Sequence, residues 1–129
     1  MGLLNKLFGA EKVVKEEKQL PWIPLNDVQQ LKHIQEKSGT KTQIIFKHST
    51  RCGISKMVIN QFIDNYNFTE KEVDLYYLDL LNYRDVSNEV GYTFQVIHQS
   101  PQILVVKNGI VVAHASHGAI NAMDLPSIV

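Results

Sequence analysis

The chain has 129 residues, 44% of them hydrophobic and 20% charged, and its 13 Lys+Arg balance its 13 Asp+Glu to zero formal net charge. That is the size of one domain, able to bury roughly two thirds of its unfolded surface, and the balance argues against an electrostatic nucleic-acid binder. The single cysteine excludes an intramolecular disulfide and an all-cysteine zinc or iron–sulfur site within one chain.

The first ten residues carry only short apolar pairs around Lys6, Leu3-Leu4 and Leu7-Phe8. A secretory signal needs about 7–15 continuous apolar residues, and Lys6 stands where a myristoylation site has Ser or Thr. Leu3, Leu4, Leu7 and Phe8 fall on one helical face, and Glu11 to Lys18 is mostly charged. Residues 1–19 therefore read as an N-terminal arm, and 20–129 as the folded domain. No run approaches the ~20 apolar residues of a membrane span. The expectation is a cytoplasmic protein.

Trp22 to Leu25 is a candidate first strand. Asn26 or Asp27 then caps a helix whose apolar stripe is Val28, Leu31 and Ile34, with Gly39 at its end. Gln43 to His48 holds Ile44, Ile45 and Phe46, a buried-strand signature. Ile54, Val58, Phe62 and Ile63 recur at helical spacing, and Val73 to Leu80 reads as a third strand. Tyr83 to Tyr92 predicts a short helix ended by Gly91. Gln102 to Lys107 and Ile110 to Ala115 flank Asn108-Gly109, a strong hairpin signal. The tail from Ala119 predicts one short helix limited by Pro126. The order is β-α-β-α-β-α-β-β-α. Helices between the early strands imply parallel crossovers, and the hairpin adds an antiparallel edge. This α/β class, a mixed four- to five-stranded sheet flanked by helices, matches the thioredoxin fold.

Cys52 lies between the second strand and the second helix. A helix start presents unpaired N–H groups and the positive end of its dipole, which favour thiolate over thiol. Lys47, Arg51 and Lys56 are cations nearby in sequence, and His48 adds to them if protonated. Such surroundings lower a cysteine pKa from ~8.5 into the range of about 3.5–7.5, and the thiolate is the attacking species in disulfide exchange. The bland alternative is a small buried hydrophobe. The polar turn His48-Ser49-Thr50-Arg51-Cys52-Gly53 argues against it. A dithiol oxidoreductase has a second cysteine at the position of Ser55. Any disulfide of Cys52 must therefore join another molecule. Ser55 either donates a hydrogen bond to the sulfur or caps the helix.

Ser100-Pro101 directly precedes the Gln102 to Lys107 strand. Proline is tolerated there because it donates no ladder bond, and on these residues alone a trans bond is the ordinary reading. Beside Cys52 in the thioredoxin order, a cis peptide is expected. In that fold it faces the cysteine and leaves the preceding backbone open to an extended substrate.

The stretch Lys47-His48-Ser49-Thr50-Arg51-Cys52-Gly53-Ile54-Ser55 resembles the active site of the monothiol bacilliredoxins, thioredoxin-like proteins of the bacillithiol system. Tyr76-Tyr77-Leu78, Arg84-Asp85-Val86-Ser87, His98-Gln99-Ser100-Pro101-Gln102, Asn108-Gly109 and His117-Gly118-Ala119-Ile120-Asn121 extend the resemblance over roughly residues 20 to 125. It implies a monothiol oxidoreductase that removes bacillithiol from S-bacillithiolated proteins. Bacillithiol is then a co-substrate, and no bound metal or organic cofactor is needed. The implied nucleophile is Cys52, Ser55 is the Ser of Cys-x-x-Ser, and the cis-proline is Pro101. Gly53 departs from the family, loosening the turn without removing the nucleophile. Thr50, Arg51, Gly53, Ile54, Ser100 and Pro101 are the candidate binding residues.

Two other readings remain open. Cys52-Gly53-Ile54-Ser55 resembles the Cys-Gly-Phe-Ser of monothiol glutaredoxins, which carry a [2Fe–2S] cluster between two subunits. Against this, Ala115-Ser116-His117-Gly118 lacks the paired glycines and Asp of that class, and the active-site loop is shorter. A non-catalytic redox sensor, with Cys52 reversibly capped, is the third reading. His114 and His117 lack a nearby carboxylate or Cys and read as loop residues. Asp79 is a candidate buried carboxylate, His98 a candidate neighbour of the proline loop, and Trp22 a core residue.

Overall fold

The computed structural model describes residues 18–129. The arm's proposed helical face, Leu3 to Phe8, lies outside the described residues. The strand Thr42–His48 (β2) is buried at all seven positions, as a strand covered on both faces must be. Ile44, Phe46 and His48 alternate to one face. Gln43, Ile45 and Lys47 alternate to the other.

β2 lies at the centre of a five-stranded sheet ordered β1-β3-β2-β4-β5, with β1 Ile23–Pro24, β3 Val73–Asp79, β4 Gln102–Lys107 and β5 Ile110–Ser116. β1 and β2 both run parallel to β3, while β4 runs antiparallel to β2 and to β5. The sheet is thus mixed, with the hairpin as its antiparallel side. Asn108 (φ 54°) and Gly109 (φ 82°) make the turn, both in the left-handed region an Asn-Gly hairpin needs.

Helices α1 (Gln30–Lys37) and α3 (Arg84–Phe94) pack on the Ile45 face. There Leu31, Ile34, Val86, Val90 and Phe94 meet Ile45, Leu78, Leu104 and Val106. Helix α2 (Gly53–Asn65) packs on the Phe46 face. Its Val58, Ile59 and Phe62 meet Ile44, Phe46, Leu75 and Ile103. Trp22 belongs to this core, with ring centroids 6.0 Å from Phe46 and 5.5 Å from Tyr77.

Three boundaries differ from the sequence reading by more than one residue. α1 starts later: Asp27 Oδ1 accepts the Gln29 N–H, Gln30 Oε1 accepts those of Asn26 and Asp27, and Val28 is left exposed. Gly91 does not end α3. The helix runs through it, because the left-handed closing position is taken by Gln95 (φ 56°) and the Val96 N–H returns to Gly91 O. The tail forms a 3₁₀ turn (His117–Ala122) and then α4 (Leu125–Ile128). Pro126 sits in the first turn of α4 rather than ending it, a place where its missing N–H costs nothing.

Candidate thiol site

The parallel strands β2 and β3 end on the side of the sheet where α2 and α3 begin. β2 stops at His48, and a four-residue turn, Ser49 to Cys52, leads into α2. The Cys52 N–H donates to Ser49 O at 3.2 Å, and Cys52 O accepts the Lys56 N–H at 3.0 Å. Cys52 is the N-cap residue of α2, extended at φ −101° and ψ 121°. Its free thiol is half-buried. The unpaired N–H groups of the first helical turn therefore start directly behind it.

Ser55 is fully buried, and its hydroxyl is committed. Ser55 Oγ lies 2.7 Å from His48 Nδ1 and accepts the Ser49 N–H at 3.1 Å. Neither sequence alternative describes it: its partners are neither the sulfur nor the first N–H groups of α2. Instead it ties the end of β2 to the start of α2. Each of these bonds spans the turn that presents Cys52.

Two cations expected beside the thiol behave differently. Burial pushes the His48 pKa down, with Asp79 opposing and Lys56 reinforcing the shift. The ring is thus neutral at pH 7, and supplies a hydrogen bond rather than a charge. Lys47 shares the Ile45 face, across the sheet from α2. It is fully buried there, and desolvation lowers its pKa to about 8. Its ammonium donates to Ser87 O in α3 at 3.2 Å and lies 3.2 Å from His98 Nδ1. Sequence distance placed it near the sulfur, whereas the two-residue alternation of β2 turns it away. Arg51 and Lys56 are exposed.

The Ser100–Pro101 peptide is cis. Gln102 is paired with Lys47, so Pro101 falls beside the end of β2 that leads to Cys52. Pro101 is buried and its carbonyl accepts the His117 N–H at 3.0 Å. The Ser100 hydroxyl oxygen is buried without a hydrogen-bond partner among the described residues. Ile54 (57% exposed), Met57 (64%) and Ile97 (85%) are apolar yet open to solvent. Ile54 and Met57 lie in the first turns of α2, and Ile97 lies in the loop that ends at Pro101. Gly53 is exposed, and a Cβ there would meet nothing within 4 Å.

On the other side of the turn, Thr50, Arg51, Leu81 and Asn82 line an open polar cavity of ≈ 350 Å³. It joins the β2–α2 turn to the β3–α3 turn, at the carboxyl ends of two parallel strands, where ligands of open α/β sheets bind. Asn82 donates to Asp79 Oδ2 at 2.7 Å, while Asp79 Oδ1 is buried and unpartnered among the described residues. Asp79 is half-buried and paired with His48 in the sheet. A second cavity, ≈ 220 Å³, is lined by Phe62, Tyr66, Phe68 and Met123 at the opposite end of α2. No group of three His, Cys, Asp or Glu among the described residues is arranged to hold a metal ion. No helix among them is long and apolar enough to cross a membrane.

Comparison with known proteins agrees with this architecture. A solved structure described as a putative oxidoreductase with a thioredoxin fold is 32% identical, with TM-score 0.69 over 82% of this chain and 91% of that one. The thioredoxin of Malassezia sympodialis is 20% identical, with TM-score 0.64 over 92% of this chain and 95% of that one. That of Trypanosoma brucei brucei is 14% identical, with TM-score 0.61 over 91% and 96%. The last two show the fold alone. The sequence model of the monothiol bacilliredoxin BrxC matches residues 23–125, from β1 to the first residue of α4 and so across every feature of the site. The chain belongs to the monothiol bacilliredoxin BrxC family, thioredoxin-fold proteins of thiol redox chemistry.

Proposed function

We propose that this protein strips bacillithiol from S-bacillithiolated proteins by thiol–disulfide exchange at Cys52. One observation carries the reading. The chain's only cysteine caps a helix at the carboxyl end of the central strand, and the residue three positions on is a buried serine already engaged with His48 and Ser49. A thiol mounted there attacks but cannot resolve its own product.

The exchange balances in two steps. The Cys52 thiolate attacks the bacillithiol sulfur of the client's mixed disulfide. The client sulfur leaves with the electron pair of the broken S–S bond and takes a proton from solvent, and Cys52 now carries bacillithiol. A second thiolate, supplied by free bacillithiol or another small thiol, attacks that adduct. Cys52 leaves as thiolate, and the small-molecule disulfide departs with the oxidising equivalents.

Each candidate residue has a part in this reading. Thr50 and Arg51, on the polar cavity, face the body of the small thiol. Gly53 and Ile54 present an unobstructed apolar surface to the client. The backbone at Ser100 and Pro101 pairs with an extended client segment as an added strand. Ser55 is a positioning residue that holds the turn. The reaction belongs to the cytoplasm, where clients and small thiols are both present.

Intact-protein mass spectrometry tests this. A client bearing a bacillithiol mixed disulfide is mixed with the protein or its Cys52→Ala variant. The expected outcome is loss of the adduct from the client and its appearance on the wild type alone. If the wild type leaves the client modified, reductase activity is excluded, and the cluster-carrier and sensor readings take its place.

A further inference from the structure

The α1/α3 face of the sheet holds a second buried polar cluster that the exchange reaction does not use. Lys47 is fully buried on the α1/α3 face of the sheet, although the neighbouring inward position, Ile45, is filled by an apolar side chain. The one ion pair among the described residues is Lys41–Asp74, so no carboxylate compensates the Lys47 charge. Burying an unpaired ammonium is costly, and an apolar side chain of similar volume would avoid the cost.

The three donors of Lys47 have two specific acceptors. One is Ser87 O in α3; the other is Nδ1 of His98, in the loop between α3 and β4. An ammonium has no acceptor to offer, so Nδ1 of His98 carries no proton and the ring is neutral. Lys47 and Arg84 both push the His98 pKa down beyond the effect of burial, which keeps the ring in that form. Ser87 Oγ lies 3.4 Å from the same ring nitrogen. Next to Lys47 on β4, Gln102 grips the loop from its other end. Its Nε2 donates to Ile97 O at 2.9 Å, and its Oε1 accepts the Gln99 N–H at 3.4 Å. Two buried polar side chains on adjacent central strands thus fix residues 97 to 99, immediately before Ser100 and Pro101.

We propose that Lys47 is a positioning residue: by holding His98 it fixes the 97–101 loop in the place where that loop meets a protein client, and so separates client recognition from thiol chemistry. The recognition half rests on the function proposed above; the positioning half does not. Lys47 lies across the sheet from α2 and touches neither Cys52 nor its turn. Its loss therefore changes how an extended peptide docks while leaving attack on a small disulfide intact.

The test compares Lys47→Met, His98→Ala and their double variant on two substrates. One is an extended peptide bearing a mixed disulfide with 2-mercaptoethanol; the other is 2-hydroxyethyl disulfide. His98 is exposed, so its variant reads the contact without disturbing the core. The expected result is an approximately tenfold rise in KM for the peptide in each variant, the size of one lost charge-assisted hydrogen bond. The double variant adds no further loss, and the small disulfide reacts within about twofold of wild type. Equal losses on both substrates, additive losses, or an unchanged peptide KM each overturn the inference. Amide hydrogen exchange supplies an independent arm. Faster exchange of Gln99 and its neighbours in Lys47→Met supports the positioning role, and unchanged exchange overturns it. If the wild type exchanges with neither disulfide, the proposed function fails and client recognition fails with it, while hydrogen exchange still decides the positioning role.

Discussion

At the scale of single residues, the contrast between Ser55 and Cys52 is the informative one. They are three positions apart, yet one is sealed in the core and the other opens to solvent. Ser55→Ala leaves the Ser49 N–H and the His48 ring without their shared partner. The expected cost is about 1–3 kcal/mol, the desolvation penalty of orphaned groups, read as a lower urea midpoint at unchanged slope. Residue types were legible from sequence at this scale: a thiol at a helix start, a serine where a dithiol enzyme has cysteine, and Ser-Pro before a strand. Side-chain directions were harder. Lys47 and His48 are adjacent in sequence, and both read there as cations near the sulfur. The pleat sends one to α3 and leaves the other neutral beside Ser55. Alternation from Ile45 to Lys47 is the signal that places Lys47 on the far face, and distance along the sequence does not carry it.

At the scale of elements, the hairpin shows how much two residues settle. Gly109 at φ 82° has open space around its Cα, so only backbone conformation resists a side chain there. Gly109→Ala is expected to destabilise by about 1 kcal/mol, measurable as a Tm decrease of several degrees. Part of that loss would come from weakening the bond in which the Gly109 N–H donates to Ser38 Oγ at 2.8 Å, which pins the turn to the end of α1. Strands and hairpin were legible because alternation and Asn-Gly are local signals. The end of α3 was not. A glycine inside a helix and a glycine closing one look alike in sequence, and here a glutamine occupies the left-handed position. The Asp27/Gln30 pair at the start of α1 was legible: Asp27 Oδ1 accepts the Gln29 N–H while Gln30 Oε1 accepts the Asp27 N–H, and only the onset of the regular helix, at Gln30, falls later than the pattern suggests.

At the scale of the whole molecule, the buried lysine links folding to pH. Its amine has a pKa of about 8 in the folded protein against the ordinary 10.5. Between those values the unfolded chain binds the proton and the folded one does not. Its contribution to stability therefore rises with pH across that window, and its burial penalty is complete below about pH 8. Lys47→Met removes the dependence. Urea titrations at pH 7 and pH 9.5 should show wild type gaining on the variant at the higher pH. A constant difference would mean that Lys47 titrates at its ordinary value. At pH 7 the variant is expected to be as stable as wild type or more so, by up to ~3 kcal/mol. The overall topology was legible from element order alone, since short crossovers and one hairpin leave few arrangements. The pairing of Lys47 with His98 was not, because it joins positions far apart in sequence through a loop with no periodic signal.

The Cys52 sulfur is carried by a short turn fixed to the innermost strand of the sheet, whose seven residues are all buried. Such a strand is the last part of a domain to open. Cys52, by contrast, is only partly covered, so a reagent need not wait for any opening. Alkylation of Cys52 by iodoacetamide should then proceed at a rate nearly independent of urea up to the onset of global unfolding. A steep rise at low urea would instead reveal a local opening of the turn. Cys52 would then be accessible without the flexibility that usually accompanies access.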